Sequence, residues 1–187
     1  ISALVAKGVW LAPEELVRGR LEGVWAKAHL WFTTGQVTDG SVSIRLELWS
    51  YALQLFAQRP ILGWSGGGAL SMLAEHLKPF NVPDGIAPVF ENDLLHYAAV
   101  SGMVGVLSVL ALYLGVFVGF WLYQKRGAQT FAYALMGMLL VVLFFEFGLT
   151  VNALGRNAFR YFFCSMTVVL LGLIILAIQE KKVQRWN

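Results

Sequence analysis

Three stretches of this sequence are so apolar and so long that a lipid bilayer is the natural solvent for them. From Ala98 to Tyr123 the chain carries almost no charge; a second run extends from about Phe131 to Thr150, broken only by Glu146, and a third from about Ala158 to Ile178. At about 1.5 Å per residue, runs of this size span a hydrocarbon core of about 30 Å as helices. The connections between them are short, which makes consecutive spans antiparallel neighbours.

The rest of the composition agrees. Of 187 residues, 58% are hydrophobic and only 13% charged, a balance no ordinary soluble domain needs. Seven tryptophans, six tyrosines and thirteen phenylalanines suit the boundary between hydrocarbon and headgroups. A net charge of +3 without a dense basic stripe argues against a nucleic-acid partner. Cys164 is the single cysteine, so it forms no internal disulfide and reads as a thiol packed within a helix. His29 and His76 lack metal-ligand spacing to cysteines or carboxylates, so neither a metal nor another cofactor is expected.

Orientation follows from the distribution of basic residues. Lys125 and Arg126 close the first run, and Lys181, Lys182 and Arg185 lie with Trp186 at the end of the chain, whereas Val151 to Asn157 carries only Arg156. The positive-inside rule puts the first two groups in the cytoplasm and residues before about Asp93 outside. The expected fold class is all-α: a polytopic transmembrane protein with a periplasmic region that contains amphipathic surface helices. Its parts are residues 1–12, the outer end of a preceding transmembrane helix in a chain read as a fragment; residues 13–92, the periplasmic region; and residues 93–187, three spans (98–123, 131–150 and 158–178) with a cytoplasmic tail.

Within the outer region, surface helices are predicted from Pro13 to about Phe32 and from Ser43 to about Gln58, followed by a long loop from Pro60 to Phe90. The second helix has turn and cap chemistry in Asp39, Gly40, Ser41 and Ser43, with Glu47 expected in its first turn. Ile44, Leu48 and Leu55, with Trp49, Ala52 and Phe56, recur at helical spacing.

Several polar residues are candidates for chemistry. Arg45 lies where a guanidinium could clamp a phosphate in bidentate fashion; the plainer alternative is an arginine paired with Glu47 or Glu22. Gly66, Gly67 and Gly68 could cradle phosphate through their amides, but no GK[ST] or strand-GxGxxG-helix context surrounds them, and a tight loop or a close backbone approach explains them as well. Glu91 and Asp93 precede the first span, where helix capping accounts for acidic residues, although a carboxylate at a water-membrane boundary could also act as a general base toward a hydroxyl. His96, one turn deeper, is either a second candidate or a hydrogen-bonded structural residue. Glu146 is costly inside an apolar run and is expected to pair with Arg156 or Arg160.

Taken in order, the segments Ser41-Val-Ser-Ile-Arg45-Leu-Glu-Leu-Trp49, Arg59-Pro-Ile-Leu-Gly63-Trp-Ser-Gly66-Gly67-Gly68 and Glu91-Asn92-Asp93-Leu-Leu-His96-Tyr97, which runs on to Gly102-Met-Val-Gly105, resemble the O-antigen ligase and polymerase superfamily of bacterial membrane glycosyltransferases. The last segment is similar to that family's His-Asn-x-x-Leu…Gly-x-x-Gly at the entry to a transmembrane helix. The likeness covers roughly Ser41 to Gly105, and the later helices by hydropathy alone.

The resemblance implies transfer of a glycan from undecaprenyl pyrophosphate to an acceptor on the periplasmic side of the bacterial inner membrane, without metal or nucleotide sugar. It implies that Arg45 binds the donor pyrophosphate, that a second family arginine falls upstream of Ile1, and that Asn92 orients the acceptor or Glu91. The chain departs from the family in having Glu91 where a catalytic His is usual; a carboxylate can still accept a proton. Catalysis is thus expected from Glu91 and Arg45, and substrate binding from Arg45, Asn92, Gly66, Gly67 and His96. The expected partners are a lipid-linked glycan donor, lipid A-core or another hydroxyl acceptor, and membrane lipids. Joining O-antigen to lipid A-core is the first choice, with glycan polymerisation and protein O-glycosylation alternatives in the same superfamily. From another class, a non-catalytic lipid-binding or transport module is the competing reading.

Overall fold

The computed structural model describes residues 13–35, 41–80 and 89–184. Among them every regular element is helical: α1 (Pro13–Thr34), α2 (Ser41–Gln58), α3 (Gly66–Leu77), α4 (Asp93–Trp121), α5 (Ala128–Gly148) and α6 (Asn157–Gln184). The expected preceding span at residues 1–12, the turn residues Asp39 and Gly40, and the terminal Arg185 and Trp186 lie outside the described residues. The chain divides into two compact units, Ile1–Leu48 and Trp49–Asn187, with the border inside α2.

In the first unit, α1 stops where Gly35 takes φ +67° and returns its amide to the Trp31 carbonyl at 2.9 Å, a left-handed helix end that glycine makes without strain. Val17, Leu21, Val24 and Trp25 recur at helical spacing on α1 and are all exposed. Glu47 falls in the second turn of α2, not the first, because the helix already begins at Ser41. Its Oε2 accepts the Trp31 indole N–H at 3.0 Å.

In the second unit, the predicted loop from Pro60 to Phe90 contains a helix. After the glycines, Ala69, Leu73 and Leu77 repeat at four-residue intervals and are buried, and Ser65 caps the start by accepting the Gly68 amide at 3.3 Å. The three glycines masked this periodicity. The Tyr51 ring of α2 stacks on His76 of α3 with centroids 3.9 Å apart, and its hydroxyl donates to the Met72 carbonyl at 3.3 Å.

Helices α4, α5 and α6 are each long and apolar enough to cross a membrane, over Asp93–Arg126, Ala128–Gly148 and Asn157–Lys181. Helix α5 packs against both of the others. One core cluster joins Val109, Tyr113, Val141, Leu154 and Phe163, and another Phe120, Ala134, Met138 and Ile174. Leu107, Leu114, Leu139, Leu143, Val168 and Leu176 instead point outward. Such apolar outer faces are stable in lipid and costly in water. At one end of this bundle Lys181 Nζ donates to the Arg126 carbonyl at 3.2 Å, so the basic groups that follow α4 and close α6 share that end.

Helix α4 is broken at Gly102, which adopts φ +63°, ψ −150°. In an unbroken helix the amides of Met103 and Val104 would bond the carbonyls of Ala99 and Val100. Here they donate to Pro60 (2.7 Å) and Ile61 (3.4 Å), and the two abandoned carbonyls accept from Trp64 (3.0 Å) and Ser65 (2.9 Å). The Arg59–Ser65 loop therefore replaces the helix's own bonds one for one. Non-helical backbone survives in a membrane helix under this condition, that protein satisfies it. The approach is close: a Cβ on Gly63 would come within 2.5 Å of the Val100 carbonyl carbon, and one on Gly102 within 2.5 Å of Ile61. The guanidinium of Arg59 lies 3.9 Å over the Trp64 ring, whose indole N–H donates to the Leu55 carbonyl at 3.0 Å, so α2 shapes the loop before the helix meets it.

Candidate functional site

The end of the bundle opposite Lys181 holds a polar network. Three consecutive residues at the start of α4 each reach the α5–α6 connection. Asn92 caps α4, its Oδ1 accepting the Leu95 amide at 3.0 Å, while its Nδ2 donates to the Leu149 carbonyl at 2.8 Å. Asp93, only 1% exposed, accepts the Leu154 amide on its two oxygens at 3.0 and 3.3 Å. The Tyr113 hydroxyl lies between the Phe144 carbonyl, 3.4 Å away, and the same Asp93 carboxyl. Glu91 Oε1 accepts from Arg156 Nη2 at 3.2 Å; the arginine side chain is 51% and the glutamate 22% exposed.

This geometry gives each residue a different capacity. Asp93 is sealed and fully engaged, which suits an anchor. Asn92 has its carbonyl oxygen and an N–H committed to backbone, so it sets the position of Glu91 by fixing the start of the helix. Glu91 alone of the three reaches solvent and has an unshared oxygen with which to meet a hydroxyl. His96 donates its backbone amide to the Asn92 carbonyl at 2.9 Å, and its ring sits between Phe90 and Tyr97. Its Nδ1 is buried without a hydrogen-bond partner among the described residues, so the ring is not the hydrogen-bonded structural histidine that its position suggested.

The other expected residues fall elsewhere. Gly66 and Gly67 are exposed in the first turn of α3, with open space where a side chain would be. The close backbone approach expected of that glycine run belongs to Gly63. Arg45 lies on α2 in the first unit, where Glu22 pairs with Arg18 at 3.2 Å and Glu47 takes the Trp31 indole; Arg45 has no ion-pair partner among the described residues. The expected pairing of Glu146 does not form: Arg156 goes to Glu91, and Arg160 Nη2 donates to Asn157 Oδ1 at 2.6 Å. Glu146 instead stands exposed on α5.

In the sequence Asp93 reads as a capping residue and Arg156 as one of two partners open to Glu146, whereas the structure anchors Asp93 and pairs Arg156 with Glu91. A signal for Arg156 was present, since an antiparallel pair of spans returns the α5–α6 connection to the end where Glu91 begins α4.

The three membrane-spanning helices make this an integral membrane protein, and the family match places it among membrane glycosyltransferases of the O-antigen ligase and polymerase type. The sequence profile of the O-antigen ligase family matches residues 17–110, which takes in Arg45, the Arg59–Ser65 loop, Glu91 and the break at Gly102, and the chain belongs to that family. Among curated proteins no match to it is found.

Proposed function

We propose that this chain forms part of an O-antigen ligase that transfers a glycan from undecaprenyl pyrophosphate to lipid A-core at the periplasmic face of the bacterial inner membrane. The observation that carries the reading is Glu91: the network of Asn92, Asp93 and the α5–α6 connection holds this partly exposed carboxylate at a membrane-helix entry, where the family has its histidine.

In the reaction, the acceptor hydroxyl oxygen attacks the anomeric carbon of the donor sugar, and the bond from that carbon to the pyrophosphate oxygen breaks. The hydroxyl proton passes to Glu91 as general base. Negative charge builds on the departing pyrophosphate, which Arg45 neutralises through bidentate hydrogen bonds; because charge develops most there, this contribution exceeds that of the base. No step calls for a metal. The exposed apolar stripe of α1 suits a helix lying on a membrane surface.

The test is transfer of label from undecaprenyl-pyrophosphate glycan to lipid A-core by the purified full-length protein and by its Arg45→Ala variant. Label moving with the native protein alone supports the reading. Equal transfer by the variant removes Arg45 from it, and label moving only to glycan or to protein replaces the ligase with a polymerase or an oligosaccharyltransferase.

A further inference from the structure

Helices α4 and α6 both begin at the Glu91 end and run the same way, and between them lies a cleft of about 270 Å³. Tyr97 and Arg160, in the first two turns of their helices, line its upper part; Val109, Leu112, Phe163 and Cys164 line the part deeper in the span. The cleft is thus polar at the end where the membrane surface lies and apolar below. The deeper polar groups are already used: Ser108 Oγ donates to the Val104 carbonyl at 2.7 Å, and the Leu154 amide belongs to Asp93. The Tyr97 hydroxyl and the Arg160 guanidinium remain for a ligand.

Arg160 carries a permanent positive charge, and the one hydrogen-bond partner of its guanidinium among the described residues is a neutral amide oxygen, that of Asn157. It lines the same cleft as Tyr97. An anion with several oxygens complements this pair, and a phosphate matches the planar fork of the guanidinium. The volume is smaller than the roughly 300–1,000 Å³ of sites that enclose a whole small molecule, so the cleft takes a headgroup and the start of one chain. A diacyl lipid brings two chains.

We infer that the α4–α6 cleft seats the phosphate-proximal end of a single-chain isoprenoid lipid, with the phosphate nearest the lipid chain on Arg160 and Tyr97 and the first isoprene units along Val109, Leu112 and Phe163. The inference rests on the reading of this protein as an enzyme for a lipid-linked donor, and it places the head of that donor one helical turn from Arg156, the partner of Glu91.

Cys164 is exposed in the cleft and serves as a built-in reporter. The full-length protein in zwitterionic nanodiscs is alkylated with a maleimide, and the rate at the Cys164 peptide is read by mass spectrometry with undecaprenyl pyrophosphate, inorganic pyrophosphate or phosphatidylglycerol added. Undecaprenyl pyrophosphate should slow alkylation where the other two do not. Arg160→Gln should raise its half-protecting concentration by about tenfold, the loss of one charge-assisted contact, and Arg160→Lys by less. Each variant's protection is read against its own lipid-free alkylation rate, and unchanged thermal unfolding of the variants shows that the fold is intact.

Absence of protection by the isoprenyl pyrophosphate, or equal protection by phosphatidylglycerol or inorganic pyrophosphate, overturns the inference. Its failure is separable from that of the proposed function. Glycan transfer with Cys164 unprotected overturns the cleft alone; protection without transfer to any acceptor upholds the cleft and overturns the ligase.

Discussion

The amide of Met103 donates to the carbonyl of Pro60 at 2.7 Å, a bond that a regular helix would have made within itself, four residues back to Ala99. Through this bond and the three beside it, the Arg59–Ser65 loop becomes part of the wall of a membrane helix. In this chain the Arg59–Ser65 loop and the Gly102-Met-Val-Gly105 stretch are thus two halves of one backbone joint.

The joint predicts an uneven response to alanine. Gly102 has backbone angles that other residues reach only with strain of about 1–3 kcal/mol, and a methyl group there also meets Ile61. Gly102→Ala and Gly63→Ala should each lower the melting temperature in detergent, whereas Gly115→Ala, with nothing within 4 Å, should leave it unchanged or raise it. Equal melting of all three would mean the loop does not enter the helix.

Asp93 should matter for stability. Asp93→Asn keeps the shape but replaces one of the two oxygens that now share the Leu154 amide, at 3.0 and 3.3 Å, with an amide nitrogen that cannot accept. Hydrogen bonds to a charged group contribute about 1.5–3 kcal/mol, so thermal unfolding followed by tryptophan fluorescence should shift down by several degrees. An unchanged midpoint would show that the anchor is dispensable.

The Glu91–Arg156 pair should behave differently. Half-exposed ion pairs contribute at most about 1 kcal/mol, so Arg156→Gln and the exchange Glu91→Arg with Arg156→Glu should both fold and insert normally. The exchange restores the pair yet moves the carboxylate to another element, and glycan transfer should be lost in it. Transfer at the native rate would make the pair structural.

How much of this was legible in the sequence depended on the range of the signal. The spans could be read because twenty apolar residues leave lipid as their solvent, and the resemblance rested on local motifs. Helix α3 was hidden because Gly66, Gly67 and Gly68 read as loop until Ser65 caps them. The pairing of Glu91 with Arg156 joins positions 65 residues apart, and helical periodicity carries no information at that separation. The apolar context of Glu146 pointed to a charge partner, while the tertiary arrangement gave that partner to Glu91.

Membrane orientation is open to a direct check. Cysteines introduced by Gly155→Cys and by Lys125→Cys, at opposite ends of the bundle, should differ toward an impermeant maleimide in intact spheroplasts. The first should be labelled and the second protected until the membrane is opened. The reverse pattern would put Glu91 in the cytoplasm and remove the periplasmic acceptor.

The central claim is that Glu91 is the proton acceptor of glycan transfer, and the most direct measurement is the single-turnover rate of native protein, Glu91→Gln and Glu91→His with labelled undecaprenyl-pyrophosphate glycan and lipid A-core. General-base catalysis contributes about 10²–10⁴-fold, so the Gln variant should fall by at least the lower figure while the His variant stays near the native rate. Equal rates in all three would contradict the account and leave Glu91 as a partner for Arg156 alone.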